Sequence, residues 1–386
     1  MVSTNMDDRF MGAYEKIKDV YQHTETNELP VVISDVNYWL SDDSPEDYFD
    51  NYHSMVDYQE RKIDIHMSEF KDDYVPLLFP WFGTGVVPSA IGCKVVFNKG
   101  QEPALKGTVI NEPKDIKKLS MPDPYKDGLM PKVLNCIDYM REKSKFPVSF
   151  TDPQGPLNIA LSLCGIENLF IWMFEYPTYV HELMEFCSEV FIQWVKVQKK
   201  HAGQQLENGA FPLGIMMPEG SGGVWISDDD CTILSPELYK EFVVPYNSKI
   251  FKAFGGGSLH FCGTAEHQLE NFLNTEGLTG INNFCMSNFR QIHKMQEMFE
   301  NRIALMVCDF TPLYIESYYR ELINILKFKG TILSTYVSPA FALVDGKYET
   351  LARDRNELMN KSFETITRLV REKKQGQTNV ILQSIV

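Results

Sequence analysis

The sequence has 386 residues, of which 44% are hydrophobic, and a formal net charge of −15. A chain of this length and apolar content can form one large domain or two average ones. The negative charge argues against nucleic acid and anionic membranes as partners, because both carry charge of the same sign.

The N-terminal sequence and the cysteines predict a cytoplasmic protein. No apolar run approaches the roughly 20 residues that a membrane helix needs, and the first residues lack the basic-then-apolar order of a signal peptide. The eight cysteines are widely spaced, unlike the dense pattern of a small secreted scaffold. We therefore expect reduced cysteines, most of them buried in the core and a few of them metal ligands.

The first part of the chain, to about Asp73, is rich in charged and aromatic residues. It predicts an N-terminal helical extension over about residues 1–28, followed by one short apolar strand, LPVVISD (29–35). SPED (44–47) is typical of a helix start, with proline at the first helical position and acids in the first turn.

From Tyr74 onward, short apolar runs end in small or polar residues and are followed by longer amphipathic stretches. The helical region from Ile166 to His201 is broken near Tyr176, where a proline follows. GCKVVFN predicts a hairpin. The predicted strands of this middle region are YVPLLFPWFG, the start of FPVSFTDPQGPLNIAL, and GIMMPEG (214–220).

The last third of the chain alternates strands and helices most clearly. SLHFCG, GLTGINNFC, RIALMVCDF and GTILSTYVSP are each followed by a helical stretch, the final one from Tyr348 to Lys373. Such alternation is typical of a parallel sheet with helical crossovers. The strand count is near eight, which favours a single (β/α)8 TIM-type barrel domain over residues 1–386. An open doubly wound sheet is the alternative, although no GxGxxG follows the first strand.

Four metal-ligating side chains end three successive predicted strands. They are His260 and Cys262 in LHFCG, Cys285 in INNFC and Cys308 in ALMVC. The C-terminal ends of barrel strands build the active site, so these residues converge in space. One imidazole with two or three thiolates is a donor set that zinc prefers. A single buried cysteine is usually core, so the prediction rests on the joint placement.

Several polar residues follow other predicted strands. Asp152, Gln154 and Asn158 flank one turn, and Glu219 leaves an apolar strand into a glycine-rich loop. We predict Glu219 and Asp152 as catalytic groups, for proton transfer or substrate anchoring, and Gln154 and Asn158 as substrate contacts. The triplet 228–230 could also bind substrate, but acids before a helix equally serve as caps.

An aromatic stretch, YVPLLFPWFG, places Trp81 at a predicted strand end. Its indole could form one wall of a pocket for a flat apolar substrate. Ordinary core packing is the alternative, and we prefer it for Tyr74 and Phe79. Trp81 is therefore predicted as a substrate-binding residue.

The segment SDDDCTILSPELYKEFVVPYNSKI, followed by SLHFCG, resembles the uroporphyrinogen decarboxylase superfamily. The order of elements is similar over about residues 29–369, and the motifs are specific from Gly214 to Pro312. The decarboxylating branch has an R-x-x-G-R segment after the first strand. Here that place reads LPVVISDVNYWLSDD, with acids and no arginine, which would repel an anionic tetrapyrrole.

The resemblance therefore points to the branch of corrinoid-linked methyltransferases. Its coenzyme M enzymes bind zinc through H-x-C and a later cysteine in the last strand. His260 and Cys262 match the first two ligands, but Val337 stands near the expected cysteine. Cys285 or Cys308 could replace it, with Cys285 ranked first because a distant relative draws a ligand from that strand.

The resemblance implies a zinc-dependent methyltransferase working with corrinoid on a separate protein, because the chain lacks a D-x-H-x-x-G corrinoid motif. We favour demethylation of a methoxylated small molecule, with a thiol acceptor as an alternative. A metal-free lyase on the same scaffold and a closed structural zinc site are further alternatives.

Overall fold

The computed structural model of the protein describes residues 4–26, 28–35, 44–151, 154–211 and 214–385. Within these ranges the chain is an α/β fold built of short strands and longer helices. The strands are β1 (Val31–Ser34), β2 (Lys94–Val96), β3 (Ala104–Lys106), β4 (Gly209–Phe211), β5 (Ile215–Met217), β6 (Val224–Ser227), β7 (Gly257–Cys262), β8 (Leu278–Phe284), β9 (Ala304–Cys308), β10 (Thr331–Tyr336), β11 (Phe341–Val344) and β12 (Lys347–Thr350).

The helices pack around this sheet framework. They are α1 (Thr4–Tyr21), α2 (Tyr52–Glu69), α3 (Val86–Ala90), α4 (Met130–Lys143), α5 (Pro156–Cys164), α6 (Ile166–Glu175), α7 (Pro177–Ala202), α8 (Pro236–Phe242), α9 (Val244–Ala253), α10 (Leu269–Leu273), α11 (Phe289–Met298), α12 (Ile315–Ile325) and α13 (Arg355–Ile385). No single helix of the described ranges has the length and apolarity to cross a membrane, although the bent pair α5 and α6 together meets that test.

The centre of the molecule is a six-stranded parallel sheet with the order β1-β10-β9-β8-β7-β6. From β7 to β10 the neighbours follow chain order, with a helix between successive strands, as a parallel sheet requires. The strand–helix alternation predicted for the last third of the chain is therefore confirmed.

A closed barrel of eight strands was predicted, but among the described residues the six-stranded sheet does not close. Along the remaining arc, Leu78 and Gln154 contribute only isolated parallel bridges, to Val148 and Ser227 respectively. Proline has no backbone N–H to donate, and prolines lie at 76, 80 and 147, beside the bridging residues. The apolar runs around Leu78 and Val148 were correctly located, but where the structure describes them they form an isolated bridge rather than a continuous hydrogen-bonded ladder.

Two carboxylates complete the pairing of β1 on its open side. The N–H of Val31 donates to Asp73 Oδ2 at 2.9 Å, and the N–H of Ile33 donates to Asp72 Oδ2 at 2.8 Å. Side chains thus accept from the backbone donors of this edge strand. This arrangement satisfies buried N–H groups that would otherwise cost free energy.

The end of α1 lies against the N-terminal end of the sheet. The hydroxyl of Tyr21 lies 3.0 Å from Ser258 Oγ on β7, and both side chains are buried. The opposite end of β7 carries Cys262, which is exposed. The accessible end of the sheet is therefore the carboxyl end, where sites of parallel α/β folds are built.

Two predicted elements are wrong in their placement. GIMMPEG forms β5, but β5 pairs antiparallel with β4 outside the central sheet, and the sheet strand is β6, seven residues further on. An apolar run by itself cannot distinguish a hairpin strand from a sheet strand.

The final helix begins later than predicted, because Tyr348 belongs to the hairpin β11–β12 and α13 starts at Arg355. The turn of this hairpin is Asp345-Gly346, with φ values of 46° and 75°. Asp-Gly between apolar runs is a strong hairpin signal.

Two other predictions are confirmed. GCKVVFN forms β2, which pairs antiparallel with β3. The long helical region breaks at Tyr176, between α6 and α7.

Candidate metal centre

Three side chains that could hold a metal ion meet at the carboxyl end of β6 and β7. The ligand atoms of Asp229, His260 and Cys262 all lie within 4.8 Å of one another. His260 Nε2 is 3.5 Å from Cys262 Sγ and 3.7 Å from Asp229 Oδ1. Nitrogen, sulfur and oxygen donors of these kinds all occur in zinc sites.

Local structure explains why these side chains converge. His260 and Cys262 are two residues apart on β7, so both point to the same face of the sheet. Asp229 begins a 3-10 helix directly after β6, and its Oδ1 accepts the Cys262 N–H at 2.7 Å. Gly263 then turns the chain with a φ of 85°, a conformation that glycine adopts without strain.

Asn282 on β8 fixes the orientation of the His260 ring. Its Nδ2 donates to the carbonyl of Met306 at 3.1 Å, which directs its Oδ1 toward His260 Nδ1 at 2.6 Å. An amide oxygen only accepts, so His260 Nδ1 carries the hydrogen and Nε2 keeps a free lone pair. This is the second-sphere arrangement that directs a histidine nitrogen toward a metal.

The electrostatics of the group suit a cation. Two effects raise the pKa of Cys262 well above its ordinary value. The larger is the burial of the thiol, although other parts of the residue are exposed, and the second is the neighbouring Asp229 carboxylate. A bound divalent ion would reverse this shift, because a coordinating thiol is deprotonated. The donor set therefore fits a zinc ion with three protein ligands and an open position.

Asp228 supports the loop that carries Asp229. Its buried Oδ2 accepts hydrogen bonds from Tyr239 Oη at 2.6 Å and from Asn247 Nδ2 at 3.0 Å. Its N–H donates to the carbonyl of His260 at 2.8 Å. Burial raises the pKa of Asp228 to about 7. Asp228 and Asp229 thus differ in role, and Ser235 rather than an aspartate caps α8.

The structure does not bring Cys285 into the group. Its thiol lies 3.0 Å from Asp309 Oδ2 and 3.7 Å from the hydroxyl of Tyr318 on α12. Phe284 is in register with Cys262, so the next residue, Cys285, points to the other face of the sheet. The helix-facing side of the sheet therefore holds this thiol.

Cys308 ends β9 on the same face as Cys262, but two strands away. Phe284 lies in register between them, which puts their backbones roughly 10 Å apart at the usual strand spacing. The Cys308 thiol is buried, with the carbonyl of Asp309 at 4.0 Å. Its role as a ligand would need a side-chain movement and stays a prediction.

Of the two predicted catalytic acids, Glu219 is not brought to this group. Glu219 is exposed in the loop between β5 and β6, where its N–H donates to the hydroxyl of Tyr14 at 3.1 Å. That loop enters β6 at its amino end, so Glu219 lies at the end of the sheet opposite Cys262. Its expected placement followed from taking β5 for a sheet strand. Asp152 lies outside the described residues.

The predicted substrate contacts have separate surroundings. Gln154 bridges Ser227, which is in register with His260, so its backbone lies two strands from that of His260 and beside β6, the strand that leads to Asp229. Asn158 Nδ2 donates to Gln154 Oε1 at 2.9 Å. Trp81 is 8% exposed and packs 5.3 Å from Phe79, as a core residue would.

Asn282 and Asp309 were missed in the sequence analysis, and Asp229 was considered only as a helix cap or substrate contact. Asp229 was hidden by the misplaced strand; reading VWIS as the sheet strand would have put it at a strand end. Asn282 lies in INNFC, two residues from Phe284, where no pattern marks its bond to His260. Asp309 follows Cys308 directly and carries no sequence signal.

Two curated proteins are similar to parts of this chain. A methylated-thiol–coenzyme M methyltransferase of Methanosarcina mazei is 25% identical over 194 residues, 49% of this chain and 47% of that protein. A uroporphyrinogen decarboxylase of Psychromonas ingrahamii is 26% identical over 171 residues, 42% of each. The chain thus spans less than half the length of either curated relative. Both relatives are enzymes by name, which supports an enzymatic function.

A solved structure, a methyltransferase from Methanosarcina mazei, is similar over nearly the whole chain. The TM-score is 0.65, with 15% identity, over 93% of this chain and 98% of the other. At this identity the likeness shows a shared fold.

The uroporphyrinogen decarboxylase (URO-D) family matches residues 77–209 and 213–306, more than half of the chain. The match includes the acidic triplet, α8, α9 and the H-x-C strand on which the resemblance was based. The chain belongs to the uroporphyrinogen decarboxylase family.

Proposed function

We propose that this protein is a cytoplasmic, zinc-dependent methyltransferase. It moves a methyl group between a small methylated donor, with a methoxy compound favoured, and a corrinoid carried by a separate protein. The observation that carries the proposal is the meeting of Asp229, His260 and Cys262 at the accessible end of the sheet. Three protein ligands leave a coordination position for a substrate atom, as in catalytic zinc sites.

The chemistry that zinc would supply is Lewis-acid stabilisation of charge on the donor's heteroatom. The bond between the methyl carbon and that heteroatom breaks, and its electron pair stays on the heteroatom. The acceptor nucleophile supplies the pair for the new bond to the methyl carbon. Asn282 bonds to Nδ1 of His260 and so leaves the lone pair of Nε2 free. The N–H of Cys262 donates to Asp229 Oδ1 and keeps that carboxylate in position.

A thiol substrate is the second candidate. The relative from Methanosarcina mazei is named for a methylated thiol and coenzyme M, and its similarity to this chain favours sulfur as the heteroatom. A metal-free lyase is disfavoured, because β1 is followed by the acid Asp35, whose carboxylate contacts His66 and Arg355. No arginine follows the strand there to bind an anionic tetrapyrrole.

The test is the zinc content of protein purified without chelators. We expect about one zinc per chain, its loss in Cys262→Ala, and wild-type content in Cys136→Ala, which removes a fully buried thiol beside Met55. Cobalt substitution adds a second readout, because the thiolate–cobalt charge-transfer band should be absent only in the Cys262 variant. Wild-type protein without divalent metal, or Cys262→Ala that retains it, would exclude the proposal.

The donor class is tested separately. Transfer from methoxybenzene to free cob(I)alamin would support the oxygen donor, and transfer from methylcobalamin to mercaptoethanesulfonate would support the thiol. Zinc-loaded protein that performs neither transfer contradicts both.

A further inference from the structure

We propose that Asp309 is a positioning residue, which fixes the hairpin β11–β12 beside the metal centre so that the hairpin forms one wall of the substrate site. The wall role rests on the proposed function. Asp309 is 2% exposed and directly follows β9.

The Asp309 carboxylate accepts hydrogen bonds from three separate parts of the chain, which are the turn after β8, helix α12 and strand β12. Its Oδ1 accepts from Met286 N at 2.8 Å and from Tyr348 Oη at 3.0 Å. Its Oδ2 accepts from Ser287 N at 3.4 Å, from the Cys285 thiol at 3.0 Å and from the hydroxyl of Tyr318. These donors are all neutral groups. Removing any of them leaves a buried acceptor less satisfied, so the elements that supply them are coupled.

The hydrogen bonds to Asp309 stabilise a strained turn after β8. Met286 and Ser287 have φ values of 48° and 62°, which L-residues rarely adopt in succession. Both N–H groups point to Asp309, which offsets the strain. The turn places Met286 Sδ 3.6 Å from the position of a Cβ on Gly263, the residue after Cys262. The strained turn thus packs directly against the loop of the metal centre.

The hairpin is joined to the same centre through aromatic rings. The Tyr348 ring meets Phe310 edge to face at 4.8 Å between centroids, and Phe310 lies 5.6 Å from Phe284. Phe284 in turn lies 5.5 Å from the ring of His260. At the hairpin tip, a Cβ on Gly346 would lie 3.1 Å from the carbonyl of Met286. The hairpin therefore contacts the turn directly, and it reaches the Phe284 ring next to a metal ligand through Phe310.

The chemistry of this wall is apolar. Phe310 is half-buried, Met286 offers a thioether, and the one polar atom of Tyr348 is already bonded to Asp309. Such a surface favours the aromatic or aliphatic body of a methyl donor over a charged one. A compact donor without such a body would make few contacts with it.

The test removes a single bond, in Tyr348→Phe. Its matched control is Tyr319→Phe, which removes a buried tyrosine hydroxyl bonded to Thr335 at 2.6 Å rather than to Asp309. In zinc-loaded protein we expect faster amide exchange in residues 286–288 and 341–350 of the Tyr348 variant only. We also expect methoxybenzene binding, measured by calorimetry, to weaken roughly tenfold, as for one lost hydrogen bond. Zinc content and methanol binding should not change.

Unchanged exchange in the hairpin of Tyr348→Phe would overturn the positioning role. Faster exchange with unchanged methoxybenzene affinity would overturn the wall. Both measurements are independent of turnover, so protein that transfers no methyl group would contradict the proposed function without deciding this inference.

Discussion

His260 Nδ1 lies 2.6 Å from Asn282 Oδ1, and this bond decides which ring nitrogen faces Cys262. The histidine comes from β7 and the asparagine from β8, at positions that are in register. An N–H on Nδ1 leaves Nε2 as the only ring atom that can bind a cation. The geometry of the candidate metal centre is thus set partly by a neutral amide on the neighbouring strand.

Asn282→Leu should weaken zinc binding by about 10- to 100-fold, because the imidazole loses the partner that sets its tautomer and orientation. Competition with a chelator measures the affinity. Asn283→Leu is the matched control, since this neighbouring amide points away and contacts the carbonyls of Phe261 and Gly263. Equal losses of affinity in the two variants would show that Asn282 has no specific role.

Asp229→Ala should lose zinc, whereas Asp230→Ala should retain it, because only Asp229 has its carboxylate within reach of His260 and Cys262. Cys285→Ala and Cys308→Ala should retain zinc if three ligands suffice. Metal analysis of purified variants measures this. Loss of zinc from either thiol variant would instead identify that cysteine as a ligand, as the sequence predicted.

The buried Lys199 should make the stability of the protein depend on pH. Its side chain is buried beneath Phe150, with the carbonyl of Asn208 as its acceptor, and burial lowers its pKa from 10.5 to about 7. Between these values the unfolded chain holds one more proton than the folded chain. The unfolding free energy should therefore rise with pH from about 7 to 10.5, by up to about 1.4 kcal/mol per pH unit from this group.

Lys199→Met should remove that slope and be more stable at pH 7, because the buried charge is gone. Lys200→Met, at an exposed neighbour, should keep the slope. Urea midpoints between pH 7 and 10 measure both. Parallel pH profiles in wild type and Lys199→Met would contradict the assignment.

Alanine substitutions at two glycines should change the stability of the protein in opposite directions. Gly263→Ala should destabilise by about 1–2 kcal/mol, because its φ of 85° strains an L-residue. Gly12→Ala should stabilise by about 0.5–1 kcal/mol, since Gly12 is exposed within α1 and nothing lies within 4 Å of its Cβ position. Thermal unfolding compares the two. A neutral Gly263→Ala would show that the turn relaxes.

The fold was predictable where local periodicity and chain order agree. From β7 to β10 each apolar run is followed by an amphipathic helix, and adjacent strands pair in sequence order. The prediction failed where pairing depends on partners distant in the chain. Leu78 and Val148 lie in runs that were correctly predicted as strand-like, but whether such runs form ladders depends on backbone donors that the nearby prolines lack.

The sequence by itself determined that His260 and Cys262 share one face at a strand end, because a strand repeats every two residues. It also determined the family, through the motif around α8 and β7. Only the tertiary structure decided that Asp229 and Asn282 join these residues and that Cys285 turns toward Asp309. The physical reason is register: which side chains meet across β6, β7 and β8 depends on how the strands align, and no local pattern encodes that alignment.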